Sequence, residues 1–138
     1  MITEDYVSFE TAKLLKEKGF NEYCRAFRSP SSKGARGLFY SVREVKNTEK
    51  KKTLGAAIAC PTLQMTIKWL IEVHNIIPIV LTGDNKHNGV AIYYWFRIDT
   101  IKNGVLEYAI YKEDKIEYPA YEEAAEAAIK YCLEYLIN

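Results

Sequence analysis

Asp84 and His87 are the two residues of this chain whose types and spacing best fit acid–base chemistry. They lie in the polar segment Gly83–Gly89, and a carboxylate beside an imidazole can form an acid–base pair. The same composition is typical of an ordinary turn, which favours a plain exposed histidine. His74 falls on or beside the apolar side of a predicted helix, where a satisfied histidine at the helix end needs no chemistry. We therefore predict no catalytic residue and expect that the protein is not an enzyme.

Motifs that specify a reaction are absent from the sequence. Gly34–Gly37 lacks both the preceding buried strand and the Lys-Ser/Thr pair of a phosphate-binding loop, and neither a Gly-x-Ser-x-Gly nor a His-Glu-x-x-His motif occurs. Cys24, Cys60 and Cys132 are odd in number and form no Cys-x-x-Cys pair, so we expect buried thiols in a reducing compartment. Neither histidine lies near a pair of cysteines, and we predict no metal and no cofactor.

The longest predicted strand, Val90–Thr100, alternates aromatic residues with an arginine. Tyr93, Trp95 and Arg97 share one of its faces. The predicted hairpin partner places Tyr108 beside them. If this face is open, its rings and guanidinium could stack on bases or hold a planar ligand. Tyrosine also covers apolar surface while it keeps a polar atom, so burial of the face under other elements is the alternative.

A basic segment is the second candidate site. The net charge of the chain is only +1, but Arg25–Lys52 carries nine basic residues against Glu44 and Glu49. Lys50, Lys51 and Lys52 fall at a predicted hairpin tip, where lysines commonly keep a loop solvated. The functional alternative is that these lysines contact the phosphate backbone of a nucleic acid. From Glu107 onward the balance is acidic, and the asymmetry is a weak pointer to an anionic partner.

Three helices are predicted from capping residues and apolar spacing. The first covers Phe9–Lys18, with Ser8 as N-cap and Gly19 as a left-handed C-terminal residue. The second begins at Thr62, or at Pro61 with Cys60 as its cap, and Asn75 can end it. The third covers Tyr121–Leu136.

The strands are predicted from alternation and turn residues. Leu38–Arg43, Ile76–Leu81, Val90–Thr100 and Val105–Tyr111 form the set, with Ile116–Tyr118 as a possible edge strand. The polar turn Lys46–Thr53 follows the first of them, and Leu54–Ala59 could pair back as a hairpin partner or lead into the second helix. Pro78 cannot donate to a ladder, which places its strand at an edge or at a strand start.

Asn103-Gly104 is the strongest hairpin signal, because a type I′ turn needs positive φ at both positions. That turn sets a register in which Ile101 faces Leu106, Asp99 faces Tyr108 and Arg97 faces Ile110.

The order of these elements predicts an α+β fold. We expect an antiparallel sheet of about four strands, with two or three helices mainly on one face, and one globular domain over residues 1–138. The apolar runs fall far short of the roughly twenty residues that a membrane helix needs. The N-terminal segment Met1–Tyr6 lacks the apolar core of a signal peptide. We therefore expect a cytoplasmic protein with no membrane association.

Three segments carry a resemblance: Tyr6–Phe20, Pro61–Asn75 and Tyr121–Leu133. In these the chain resembles a family of small uncharacterised proteins of gut Bacteroides and their phages or integrated elements. The likeness covers both termini and the central helix, roughly half of the chain. It differs at Ile71, where relatives carry Arg, and at Ala120, where a Ser or Thr cap is usual. No activity comes with this family, so the resemblance implies no catalytic residues.

The leading functional hypothesis is a non-enzymatic cytoplasmic interaction module with a protein partner, carried by a phage or mobile element. The alternative is nucleic-acid or nucleotide binding through the aromatic and basic surfaces. The sequence specifies neither the partner nor the oligomeric state.

Overall fold

A computed structural model describes residues 2–30, 37–49, 56–84, 92–110 and 116–138. They fall into two compact units, Met1–Thr62 with Asn138, and Leu63–Ile137. The prediction of one domain stays a prediction. The helices are α1 (Phe9–Glu17), α2 (Leu63–His74) and α3 (Tyr121–Tyr131); the strands are β1 (Cys24–Arg28), β2 (Leu38–Val45), β3 (Ile58–Ala59), β4 (Ile76–Asp84), β5 (Ile92–Lys102) and β6 (Val105–Ile110).

Helix α1 of the first unit begins and ends as its sequence predicts. The Ser8 hydroxyl oxygen accepts a hydrogen bond from the Thr11 N–H at 3.2 Å, which satisfies one amide of the first turn. Gly19 has a φ of 93°, and the Phe20 N–H donates to the Leu15 carbonyl at 2.8 Å. Phe20 and Leu15 are both buried. The bond and the apolar contact together form the Schellman stop expected from the glycine.

The sheet of the first unit has the order β2-β1-β3, with antiparallel pairs. Its centre is β1, where four of five side chains are buried. The two-residue strand β3 pairs Ala59 with Phe27. The sequence did not predict β1. For Leu54–Ala59 it predicted either a hairpin strand or a segment that leads into α2. Both strands are short and depend on pairing with distant residues, which local patterns do not reveal.

Helix α2 leads directly into the sheet of the second unit. It begins at Leu63, one residue after the predicted Thr62. Asn75 ends it with a φ of 56°, a left-handed conformation that asparagine tolerates. Strand β4 starts at the next residue. Pro78 lies inside β4, and the strand order β4-β5-β6 places β4 at an edge, as expected for a strand that contains proline.

The β5–β6 hairpin forms around the predicted turn. Asn103 and Gly104 have φ values of 53° and 75°, and Lys102 pairs with Val105. The predicted pairs Ile101–Leu106 and Asp99–Tyr108 are confirmed. The predicted Arg97–Ile110 pair is wrong, since Ile110 pairs with Ile98. A β-bulge leaves Ala109 without an opposite residue and shifts the register beyond it by one position.

Helix α3 covers one face of the second sheet. Its Tyr121 and Tyr131 rings lie against Tyr94 and Phe96 of β5, with centroids 6.2 and 6.4 Å apart. Helix α2 contacts β4 and α3. The predicted Tyr121–Leu136 helix is α-helical to Tyr131 and continues as a π-helix over Cys132–Leu136.

The α+β class is therefore correct, but a sheet of about four strands is not confirmed. The described residues form two three-stranded antiparallel sheets. The predicted edge strand Ile116–Tyr118 contributes one isolated bridge, from Tyr118 to Tyr94. In the parts of the chain described above, none of the helices has both the length and the apolar character needed to cross a membrane.

Candidate functional site

The two faces of the sheet β4-β5-β6 differ in burial. On the face against α3, Ile76, Pro78 and Ile98 are buried. The opposite face, called the outer face below, has one fully buried described side chain, that of Asp99. Its other side chains are half-buried or exposed. The outer face comprises Ile77, Ile79, Leu81, Gly83, Tyr93, Trp95, Arg97, Asp99, Ile101, Leu106 and Tyr108.

Arg97, Asp99 and Tyr108 form the polar centre of the outer face. The Arg97 Nε lies 3.1 Å from Asp99 Oδ1, and its Nη2 donates to Oδ2 at 3.3 Å. The Nε–Oδ1 contact is one of charge alone, since neither atom completes a hydrogen bond. The guanidinium carbon also lies 5.2 Å from the centroid of the Tyr108 ring. The Asp99 side chain is only 6% exposed, so the arginine charge is balanced by a buried carboxylate.

Tyr93 and Gly83 extend the outer face as a flat aromatic area. They are directly opposite each other on β5 and β4. A Cβ added to Gly83 would lie 2.5 Å from the Tyr93 ring, so the ring lies across the glycine where a side chain would otherwise stand. A side chain at this position would have to displace the Tyr93 ring. Trp95 follows on the same face, half-buried. Tyr93, Trp95, Arg97 and Tyr108 thus share one face, as the alternation predicted, with Tyr93 and Tyr108 toward opposite ends of β5.

Strand β6 is the most exposed part of the second unit's sheet. Tyr108 is 69% exposed, Leu106 62% and Val105 60%. These large apolar side chains alternate across both faces of the strand. Contiguous exposed apolar groups on an edge strand are typical of a surface that binds another molecule. Burial of the whole aromatic face, the alternative open from the sequence, does not apply to β6.

The basic segment is only partly described. Lys50, Lys51 and Lys52 lie outside the described residues. Among the basic residues that are described, Arg28 is buried, and Lys46 lies 4.6 Å from the centroid of the Tyr23 ring. Arg25 donates to the Val42 carbonyl at 3.4 Å. These three cations are held by contacts within the first unit, and Arg43 is exposed on β2.

A cleft of about 450 Å³ lies where α2 meets the β5–β6 hairpin. His74 and Leu136 line one part of it, and Lys102 and Glu107 form an ion pair at 3.7 Å in another. The His74 ring packs edge-on against Trp69 with centroids 4.7 Å apart. Its Nε2 is buried without a hydrogen-bond partner, and burial lowers the pKa of His74. The satisfied helix-end histidine expected from the sequence is therefore packed against Trp69 but not fully hydrogen-bonded.

The remaining candidates for chemistry are Asp84, His87 and the cysteines. Asp84 is exposed at the end of β4, and His87 lies outside the described residues. Cys24, Cys60 and Cys132 are buried and form no disulfide, and burial raises the pKa of Cys24 and of Cys132 to about 12. Such thiols are poor nucleophiles at neutral pH. Over the described ranges, no three His, Cys, Asp or Glu side chains gather as metal ligands would.

Sequence reasoning missed a buried polar network in the first unit. The Asn47 amide donates to the Phe20 carbonyl at 3.1 Å and accepts from the Ala59 N–H at 3.0 Å. Asn47 lies in the predicted polar turn Lys46–Thr53, and no local sequence signal distinguishes it from an exposed turn residue. The network joins Asn47 to Phe20 at the end of α1, 27 residues earlier, and to Ala59 of β3, 12 residues later.

A second missed network surrounds Arg28. Its Nε donates to the Val7 carbonyl at 3.0 Å and lies 3.3 Å from the Cys60 sulfur. The Cys60 thiol donates to the same carbonyl at 2.9 Å. Because Arg28 and Cys60 are both buried, these contacts are structural.

Comparison of the chain with protein-family models, with curated proteins and with solved structures finds no match in any of the three.

Proposed function

We propose that this chain is a non-enzymatic interaction module and that the outer face of the sheet β4-β5-β6 binds a protein partner. The observation that carries the proposal is the exposure of Leu106 and Tyr108 beside an arginine whose charge is already balanced. Aromatic residues and arginine are the side chains most enriched at protein interfaces.

The Arg97–Asp99 pair favours a protein over a polyanion. A phosphate that approached Arg97 would also meet the Asp99 carboxylate, 3.1 Å from the guanidinium Nε, and like charges repel. An apolar or planar group on a protein meets no such penalty. It can cover Tyr108 and Leu106 while the ion pair stays intact, and burial of their exposed apolar area would stabilise the complex.

A matched pair of tyrosine variants tests this proposal. Tyr108 and Tyr135 are almost equally exposed, at 69% and 68%, but only Tyr108 lies on the outer face. We expect Tyr108→Ser to abolish capture of the partner from extracts of the native host, and Tyr135→Ser to retain it. The captured protein is then purified and titrated against both variants. Equal binding by the two variants, or turnover of a substrate that depends on a residue of the cleft, would contradict the proposal.

Nucleic-acid or nucleotide binding is the second candidate. It is favoured by the row of Tyr93, Trp95 and Arg97 on one strand face, with the guanidinium over the Tyr108 ring. Stacking of bases on aromatic rings is tolerant of sequence and is strengthened by nearby cations. Titration with single strands, duplex and mononucleotides at low salt tests it. Binding that weakens steeply with salt would support this candidate, and no binding under these conditions would remove it.

The family resemblance supplies the rest of the proposal. Membership in the family of Bacteroides and phage proteins, a mobile-element origin and a cytoplasmic location are all proposed from the sequence. Genomic neighbourhood would test the origin directly.

A further inference from the structure

The outer edge of β6 has backbone groups that point away from β5. Lys102 and Val105 flank a two-residue turn and form a hydrogen-bonded pair. Such pairs alternate with pairs that exchange no hydrogen bonds, so Ile101–Leu106 is of the second kind. Consistent with this, the Ile101 N–H points away from β6 and donates to the Asn75 carbonyl at 2.9 Å. The backbone groups of Leu106, and by the same alternation those of Tyr108, therefore point outward.

No described strand pairs with that edge. Exposed strand edges add a further strand readily, and the side chains of this edge restrict what the strand can be. Lys102 and Glu107 are ion-paired on one face, and Arg97 and Asp99 are ion-paired on the other. An edge whose charges are balanced within the hairpin can meet a second copy of itself without net repulsion.

A two-fold axis limits the possible registers. Two antiparallel copies of β6 must match outward-pointing positions with each other. If Leu106 lies opposite a residue of the second β6 strand, the axis falls at Leu106, at Glu107 (with Leu106 opposite Tyr108) or at Tyr108. An axis at Glu107 places two carboxylates directly opposite each other, which is destabilising. An axis at Tyr108 carries the second strand past the bulge at Ala109, where the ladder is irregular. The register with Leu106 opposite Leu106 remains.

That register matches the shape of the edge. It aligns Ile101 and Leu106 of one copy with Leu106 and Ile101 of the other, a continuous aliphatic row across the joined sheets. It also places Tyr108 beside Gly104 of the second copy, and a Cβ at Gly104 would meet no atom within 4 Å. The chain already contains such a tyrosine–glycine cross-strand pair, since Tyr93 lies across Gly83.

We propose that two copies of this chain associate through the outer edges of their β6 strands, antiparallel, with Leu106 facing Leu106 across the two-fold axis. The product is a continuous six-stranded antiparallel sheet. This inference goes beyond the proposed function, because it concerns the edge of β6 and a second copy rather than a different protein on the outer face.

Charge exchange at the axis tests the pairing. Leu106→Lys places two ammonium groups opposite each other, and Leu106→Asp places two carboxylates there. We expect the parent protein to sediment as a dimer at millimolar concentration, each variant alone to sediment as a monomer, and an equimolar mixture of the two to recover the dimer. Val42→Lys is the matched control, since Val42 is an exposed apolar residue of β2, and it should leave the dimer intact.

Circular dichroism and thermal unfolding of each variant establish that it folds, as expected for a substitution at a residue that is 62% exposed. A parent protein that stays monomeric at millimolar concentration would overturn the inference. A Leu106→Lys variant that still forms dimers, or a mixture that stays monomeric, would overturn it equally. A monomer that binds a partner protein in a Tyr108-dependent manner would overturn this inference alone and leave the proposed function intact.

Discussion

The two sheets of this protein use polar side chains for different purposes. In and beside the sheet β2-β1-β3, the buried side chains of Arg28 (in β1) and Asn47 (just after β2) bond to backbone groups that lie 12 to 27 residues away. In the sheet β4-β5-β6, Arg97 and Asp99 are two residues apart on one strand and pair with each other. The first arrangement fixes segments in place, whereas the second removes charge from a face whose apolar side chains remain exposed.

The difference separates stability from binding. Long-range hydrogen bonds in a buried setting are costly to break, because each lost partner leaves a desolvated donor or acceptor. Exposed rings such as that of Tyr108 contribute little to folding but are well placed to contact another molecule. Substitutions in the first unit should therefore change stability most, and substitutions at β6 should change association most.

The largest effect is expected at Asn47. Asn47→Ala leaves the Phe20 carbonyl and the Ala59 N–H without their partner, and both residues are buried. We expect a loss of about 2–4 kcal/mol in the free energy of unfolding, measured by urea denaturation followed by circular dichroism. Thr48→Ala is the control, since Thr48 is exposed and the variant loses only an exposed hydroxyl bond to Asn21 while the N–H bond to Asn21 remains. Equal losses in the two variants would contradict the role assigned to Asn47.

A smaller effect is expected at the ion pair of the outer face. Arg97→Leu leaves the buried Asp99 carboxylate without its ion-pair partner, and we expect a loss of about 1–3 kcal/mol. The double variant Arg97→Leu/Asp99→Leu should be less destabilised than the single variant, because no buried charge remains. A double variant that is less stable than Arg97→Leu alone would contradict the contrast drawn between the two sheets.

A modest dependence on pH is expected from His74. Burial lowers its pKa in the folded protein below the ordinary value of 6.5, so the unfolded chain takes up a proton more readily. The stabilising contribution is complete above pH 6.5 and is lost as the pH falls through the folded pKa. Urea denaturation at a series of pH values between 7 and 5 measures this loss. His74→Gln removes the titrating group, and an unchanged pH dependence in that variant would assign the loss to other groups.

The smallest effect on stability is expected at Tyr108. Tyr108→Ser should change the free energy of unfolding by no more than about 0.5 kcal/mol, because the side chain is 69% exposed. The same variant should lose partner binding. A loss of stability as large as that of Asn47→Ala would show that Tyr108 belongs to the core and would remove the contrast between the two regions.

Local features of the fold were predictable wherever one short stretch of sequence sets the geometry. Ser8 and Gly19 define α1, Asn75 ends α2, and Asn103-Gly104 forms the turn that aligns β5 with β6. Alternation along β5 placed Tyr93, Trp95 and Arg97 on one face. Each of these is a consequence of backbone sterics or of the two-residue period of a strand.

Features that depend on distant pairing were not predictable. In the first sheet β3 pairs with β1 and not with β2, and the bulge at Ala109 shifts the pair expected for Arg97. The sequence places Arg97 and Asp99 on the same strand face. It does not predict that the pair is buried, because burial depends on which elements pack nearby.

The sequence by itself determined the helix ends, the hairpin turn and the composition of the outer face, since these follow from residue types a few positions apart. Only the tertiary structure decided that Asn47 and Arg28 are buried and that β6 is an exposed edge. Hydrogen bonds and burial between residues far apart in sequence exist only once the chain has folded, and no local pattern encodes them.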